Sequence, residues 1–452
     1  MNQNRTIVAL STPPAHSALA VVRLSGADAI AVADKIFRPF YAESLGSLPG
    51  YHAAYGEVRS ADGLIDEAVA LIYRAPKSYT GENMVELSCH GNPLIAARLV
   101  AACIAAGASP AGAGEFTKRA FENGKLDLTQ AEAIAELIEA ESDLAANAAQ
   151  QRRAGELGKR VQALCDRLSF AAAQLAVWSD YPEEEDAPAV TREALLKTFS
   201  EVREELQGLA SRYHTGRLIQ KGIKIAIAGS PNVGKSTLIN YLSGSERAIV
   251  TDIAGTTRDV IEAPAELDGI TVHLLDTAGI RETEDEIERI GIRRARDAIE
   301  TSDLVLYLLD ASNSVTNEDK TLLNYINTRP RLVILNKNDL KNEDFQHAVT
   351  PDVEISALTG AGIENLKQAI KKALGLTLTQ DGCLIASQRQ FDCVLRAEKA
   401  LSEAVFHLES GITLDVVGIL IEAAIAPLAE LTGRSASQAV IEQVFTKFCV
   451  GK

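Results

Sequence analysis

Residues 229–236 read GSPNVGKS, between an apolar run, IKIAIAG (223–229), and a helix-forming run, KSTLINYLSG (235–244). A short continuous apolar run reads as a buried strand, so the local order is strand, glycine-bounded loop, helix. That order suits a polyphosphate. Gly229 and Gly234 permit the tight turn whose backbone N–H groups cradle phosphates, Lys235 reaches the outer phosphates, and the Ser236 hydroxyl can ligate Mg2+. Val233 and Thr237 lie in the same cradle, and the helix N-terminus adds its positive dipole end.

Three further elements follow in order: GTT at 255–257, DTAG at 276–279 and NKND at 336–339. Thr257 is expected as a second Mg2+ ligand, because a switch loop is held by metal and γ-phosphate and released on hydrolysis. Asp276 ends the apolar strand TVHLLD, where a carboxylate can hold a metal-bound water. Thr277 and Ala278 lead to Gly279, whose N–H is offered to the γ-phosphate. Asn336, Lys337 and Asp339 end another strand, LVILN. The Asp339 carboxylate can accept both the ring N–H and the exocyclic amine of guanine, donors that adenine lacks, and a site built on such bonds rejects the wrong partner by about 10⁴–10⁵. Ser356, Ala357 and Leu358 follow the strand VEISA and are expected to back the base. The chain is expected to bind GTP.

Many GTPases place a water-orienting glutamine just after DxxG; here that position is Ile280. The attacking water must be handled otherwise, or hydrolysis helped from outside, and help of the arginine-finger kind is worth about 10³–10⁵ in rate. Asn232, inside the phosphate loop, can offer a side-chain carbonyl to a monovalent cation bridging the phosphates. The acidic stretch RETEDEIERIGI (281–292) also reads as a solvated helix start, since acids favour a first turn.

The 452 residues, 46% of them hydrophobic, provide for about three domains. No run approaches the ~20 apolar residues of a membrane span, and the opening MNQNRTIVALSTPP lacks the pattern of a signal peptide. The six cysteines form no CxxC pair or zinc spacing, which fits a reduced, cytoplasmic chain. A net charge of −16 argues against nucleic-acid binding by the whole surface, because phosphate backbones are neutralised by Lys and Arg, so an RNA contact needs a local patch or a partner. His90, in SCHGNP, reads as a strand-end structural residue.

Residues 1–120 mix short strands (RTIVALS, LAVVRLSG, AVALIYRAP, MVELSCHG) with two helical patterns, and ADG at 61–63 marks a hairpin turn. Residues 121–216 are Ala-rich and helical, with LTQAEAIAELIEAESDLAANAAQ reading as one helix and YPEEEDAP (181–188) as an acidic, Pro-bounded break. The phosphate-loop unit occupies 217–377, and helical periodicity resumes over 378–452. The expected class is α/β plus all-α: an N-terminal α/β domain, a discontinuous helical domain, and an inserted GTPase domain with a doubly wound, Ras-like sheet. Insertion is tolerated where the termini of the inserted domain lie close together.

Further segments narrow the reading: SYTGENMVELSCHGNP (78–93), GEFTKRAFENGKLDLTQAEAIAELI (114–138), YPEEED (181–186), AIVTDIAGTTRDV (248–260), DTAGIRETEDEIERIGI (276–292) and the terminal FCVGK. Together they resemble the MnmE (TrmE) family of tRNA-modification GTPases along essentially the whole chain. The resemblance implies a folate-binding, dimerising N-terminal domain, a homodimer, and a flavoprotein partner, MnmG (GidA). With that partner the family installs an aminomethyl or carboxymethylaminomethyl group on carbon 5 of the wobble uridine of certain tRNAs, using a 5-formyl- or 5,10-methylene-tetrahydrofolate for the one-carbon unit. It further implies K+ at the nucleotide when two GTPase domains meet, held at Asn232, Thr251, Ile253 and Thr256, in place of an arginine finger. Asp252, Ala254 and Gly255 complete that nucleotide-contacting segment. The family's water-positioning glutamate falls on Glu288, twelve residues after Asp276, beside Lys235 as the catalytic pair. Folate-contacting positions fall on Arg23, Glu86, Lys125 and Lys452.

Cys449 reads either as a thiol near the folate or as a small apolar residue packing a C-terminal helix. One departure from the family stands out: AHSALA (15–20) replaces a Gly-rich segment, which puts backbone-mediated ligand contacts there in doubt. Two other classes remain in view: a ribosome-assembly GTPase that binds RNA without modifying it, and a folate-dependent aminomethyl- or methyltransferase merely regulated by its GTPase. Asp339→Asn replaces a charged acceptor by an amide that can accept at only one atom. It is expected to weaken GTP binding about ten- to hundredfold and to blunt discrimination against other purine nucleotides in competition assays.

Overall fold

The computed structural model describes residues 5–180, 191–244, 262–276, 296–340, 349–376, 385–410 and 414–452. The chain forms two compact units, each discontinuous in sequence: one comprises 1–138, 152–206 and 392–452, the other 139–151 and 207–391. The class is α/β plus all-α, and no described helix is long and apolar enough to cross a membrane.

The first unit carries a seven-stranded sheet. Its strands are β1 (Ile7–Leu10), β2 (Leu19–Ser25), β3 (Phe37–Pro39), β4 (His52–Ser60), β5 (Gly63–Tyr73), β6 (Met84–His90) and β7 (Ser109–Pro110), in the order β3-β4-β5-β6-β2-β1-β7. Alternation along β2, β5 and β6 sends Val22, Leu24, Ala68, Ala70, Ile72, Val85, Leu87 and Cys89 to one face. The helices Ala29–Ile36 and Pro93–Ala105 cover that face with Ile30, Ala33, Leu99 and Cys103. The expected hairpin at 61–63 joins β4 to β5, with a register shift at Val58/Arg59. His90 ends β6, where Asp66 accepts from its backbone N–H at 2.8 Å and pairs with its Nδ1 at 2.8 Å, a structural role.

The remaining helices of this unit include Leu128–Ile138, Glu156–Asp180, Arg192–Ser211 and Leu414–Thr432. The run expected as one helix over 128–150 breaks: Leu128–Ile138 ends, and a second helix, Asp143–Arg153, starts where the Ser142 hydroxyl accepts from Ala145 N at 3.2 Å. Leu128, Ala131, Val444, Phe445 and Phe448 form a separate apolar cluster. Near the end of the second helix Arg152, 1% exposed, is held by Glu136 of the first at 2.6 Å.

The second unit is built on a six-stranded sheet. Its strands are β8 (Ile223–Gly229), β9 (Glu262–Leu267), β10 (Ile270–Asp276), β11 (Leu304–Asp310), β12 (Arg331–Asn336) and β13 (Val353–Glu354), ordered β13-β12-β11-β8-β10-β9, with only β9 antiparallel. β8 is buried on both faces, Ile225 and Ile227 joining one core and Ala226 and Ala228 the other, which is why it reads as an unbroken apolar run. Helices flank both faces, Lys235–Ser243 and Ile363–Ala373 on the first and Asn317–Tyr325 on the second. From β8 the chain passes to β10 on one side and later to β11 on the other, so the crevice at the carboxyl end of β8 is a topological switch point, where open α/β sheets bind ligands.

Arg152→Ala removes a buried guanidinium from the Glu136 carboxylate. It is expected to cost the first unit about 3–5 kcal/mol in urea denaturation, and a loss below about 1 kcal/mol would count against the pair as a structural clamp.

Candidate functional site

The carboxyl ends of β8, β11 and β12 gather the phosphate loop, Asp310 and the NKND segment. β8 stops at Gly229, and the helix Lys235–Ser243 begins behind Gly234, whose φ is 97°. A Cβ at Gly234 would collide with the Asn336 side-chain nitrogen, so only glycine serves both that backbone shape and that neighbour. The first N–H groups of the helix lack intrahelical partners and face the loop. Lys235 arches back over it, its ammonium donating to Gly229 O at 2.8 Å and Ser230 O at 3.0 Å. Ser236 and Thr237 lie exposed in the first helical turn.

Asn336, 2% exposed, joins three segments. Its Nδ2 donates to Val233 O at 2.7 Å and its Oδ1 accepts from Ala357 N at 2.9 Å. The residue after it, Lys337, takes a left-handed φ of 61°, and Asn232 in the phosphate loop one of 62°. Left-handed backbone is uncommon for such residues and gathers where a site over-determines it. Lys337 Nζ pairs with Asp310 Oδ2 at 2.6 Å, and Asp310 Oδ1 accepts from Ser312 N at 2.9 Å and Ser312 Oγ at 2.6 Å. Burial pushes the Asp310 carboxyl up, but the Lys337 ammonium and the Ser312 donors outweigh it and hold the group below its ordinary range. Asp339 follows in a short 3-10 turn with its carboxylate exposed; Ser356 and Ala357 are buried and Leu358 is exposed.

The structure therefore brings Asn232, Val233, Gly234, Lys235, Asn336, Lys337 and Ala357 into one linked group. Asp276 is the last residue of β10, beside β8. Thr251 to Thr257, Thr277 to Gly279 and Glu288 lie outside the described residues. Sequence reading missed Asp310 and Asp319: both are acidic residues in ordinary-looking stretches, and only tertiary structure sets them against the motifs. Among the described residues no His, Cys, Asp and Glu cluster has metal-binding spacing. A divalent ion of the Mg2+ kind takes oxygen ligands, and exposed Ser236 at a helix N-terminus fits that donor chemistry.

The first unit holds the other expected set. Arg23 and Glu86, opposite each other on β2 and β6, pair at 2.8 Å, each 19% exposed, and Tyr73 OH donates to Glu86 at 3.1 Å. The Arg23 guanidinium lies 5.6 Å from the ring centres of both Tyr79 and Phe116. The terminal segment closes over this pair: Gly114 N donates to Cys449 O at 3.3 Å, Phe116 N to Lys452 O at 3.1 Å and Arg23 to Gly451 O at 3.5 Å. Lys125 donates to Pro76 O at 3.3 Å, on the loop that carries Tyr79. Cys449 is exposed and lies past the last described helix, which ends at Phe445. In the AHSALA segment Ser17 N is spent on Gly91 O at 2.9 Å.

Comparison with known proteins matches residues 128–449 to the family profile described as MnmE helical domain, and residues 6–125 to that of the GTP-binding protein TrmE N-terminus. The tRNA modification GTPase MnmE of Thermus thermophilus is 41% identical over 454 residues, covering 100% of both chains. That of Lactobacillus johnsonii is 38% identical over 461 residues, covering 100% of this chain and 99% of its own. Among solved structures, Aquifex aeolicus Era bound to GDP and AlF4- overlaps 39% of this chain and 65% of its own at 28% identity, with a TM-score of 0.27, too low to carry a fold argument. Two family profiles and end-to-end identity agree, and the chain belongs to the MnmE family of tRNA modification GTPases.

Proposed function

We propose that the chain binds and hydrolyses GTP, and that this hydrolysis drives modification of the wobble uridine of tRNA. The observation that carries the nucleotide reading is the Asn336 bridge, which sets the phosphate loop, the base-reading segment and the 356–358 segment in one frame. In that frame the guanine ring lies between Lys337, steadied by Asp310, and Leu358, with the Asp339 carboxylate accepting from its N–H groups. The Lys235 ammonium exchanges the carbonyls of Gly229 and Ser230 for phosphate oxygens, a short move within an already charged mouth. Ser236 and Thr257 would hold Mg2+, which would supply charge neutralisation for the outer phosphates. Asn232, Thr251, Ile253 and Thr256 would hold K+, which would supply the positive charge that an arginine finger brings elsewhere. Glu288 orients the attacking water, the task for which Ile280 has no polar group.

In the first unit, the Arg23–Glu86 pair offers a cation and a carboxylate beside two aromatic rings under the terminal segment, a setting that suits the glutamate tail and pterin of a tetrahydrofolate. Lys125 and Lys452 would add cations for its tail, and the bound folate would supply the one-carbon unit. A homodimer working with the flavoprotein MnmG completes this reading. GTP turnover then controls conformation and transfers no phosphate to product.

Nucleoside analysis of tRNA from a strain lacking this gene tests the whole: loss of the carbon-5 substituent at the wobble uridine is expected, and ribosome defects with intact tRNA would replace the proposal by RNA binding alone. GTP turnover is expected to run at least about tenfold faster in K+ than in Na+, and equal rates would remove the cation from the mechanism. In the same assay Glu288→Ala is expected to slow hydrolysis about 10²–10⁴-fold with GTP affinity near native, whereas collapse of binding would mark Glu288 as structural.

A further inference from the structure

We propose that Asp319, acting through the Ser230 hydroxyl, holds the phosphate loop in its anion-accepting shape before nucleotide arrives, and is a positioning residue for GTP capture. The proposal rests on the nucleotide reading above. Asp319 stands in the first turn of the helix Asn317–Tyr325, capped by Thr316 in a reciprocal box: Thr316 N donates to Asp319 Oδ2 at 2.9 Å and Asp319 N to Thr316 Oγ1 at 3.1 Å. Thr316 Oγ1 also donates to Oδ2, at 2.7 Å. A cap of this kind uses one carboxylate oxygen. The other is spare to the helix, and it accepts from Ser230 Oγ at 2.7 Å and from Tyr307 OH, on β11, at 2.8 Å.

Asp319 is 5% exposed, yet every bond its carboxylate receives comes from a donor that favours its charged form. Burial pushes its titration up, and the Ser230 and Thr316 donors bring it below the ordinary range, so it stays an anion at neutral pH. A hydrogen bond to such an acceptor is charge-assisted and about twice as strong as a neutral one. Ser230 is thus gripped on two sides, its hydroxyl by Asp319 and its carbonyl by the Lys235 ammonium at 3.0 Å. The peptide that positions Lys235 cannot turn without giving up the Asp319 bond. Room to turn exists: a cavity of about 430 Å³ flanks the loop, lined among others by Ser230, Asn232, Asp310, Thr316 and Asp319. The anchor keeps the empty loop from relaxing into that space, and a loop that is competent only part of the time binds more weakly in proportion to that fraction.

Ser230→Ala tests this with little risk to the fold, because Asp319 retains Tyr307 and both Thr316 donors. Tyr307→Phe is the matched control, removing a donor from the same oxygen without touching the loop. Binding of a non-hydrolysable GTP analogue and Tm are measured on the full chain. Ser230→Ala is expected to weaken binding about tenfold with Tm nearly unchanged. Tyr307→Phe is expected to lower Tm and leave affinity at the native value, and Ser230→Thr, which restores the hydroxyl, to recover affinity. Native affinity in Ser230→Ala, or an equal loss in Tyr307→Phe, overturns the positioning role. Failure of the native chain to bind the analogue overturns the nucleotide reading itself, a separate result.

Discussion

The arrangement of the second unit depends on one buried amide. Asn336 donates from one side-chain atom to the phosphate loop and accepts at the other from the 356–358 segment, while its backbone belongs to β12. An amide this buried must satisfy both ends or lose the desolvation cost of each. Three segments distant in sequence therefore have one mutual placement that leaves no polar atom of that side chain unpaired. Gly234 follows from the same constraint, since the Asn336 nitrogen occupies the space a Cβ would need.

Around that amide, charge is placed where it can do directional work and neutralised elsewhere. Asp310 steadies Lys337, and Asp319 steadies Ser230, both carboxylates at or near the carboxyl edge of β11. Their hydrogen bonds outweigh the burial penalty, so the cations and hydroxyls at the mouth are aimed before any ligand enters. Fixed dipoles and charges that need no reorganisation are what phosphoryl-transfer sites rely on. The first unit repeats the economy on a different scaffold, where Arg23 and Glu86 face each other across neighbouring strands and the terminal segment folds over them.

Much of this was legible in the chain itself. The strand, loop and helix around GSPNVGKS, the strand before NKND, the hairpin at 61–63 and the structural part played by His90 all follow from local pattern, because glycine spacing and apolar runs act over a few residues. The break between Leu128–Ile138 and Asp143–Arg153 did not, because helix propensity over Ala-rich sequence runs straight through it. A Ser142 hydroxyl bond fixes the start of the second helix, a local side-chain contact that propensity does not weigh.

By itself, then, the order of residues determined where the strand, glycine-bounded loop and helix fall and to which family the chain belongs, since both depend on short segments whose chemistry travels with their identity. Tertiary structure alone decided which plain acidic residues matter. Asp310 and Asp319 sit nine positions apart in unremarkable stretches. They acquire their parts only because parallel pairing of β8, β11 and β12 lines up strand ends that the chain visits many residues apart.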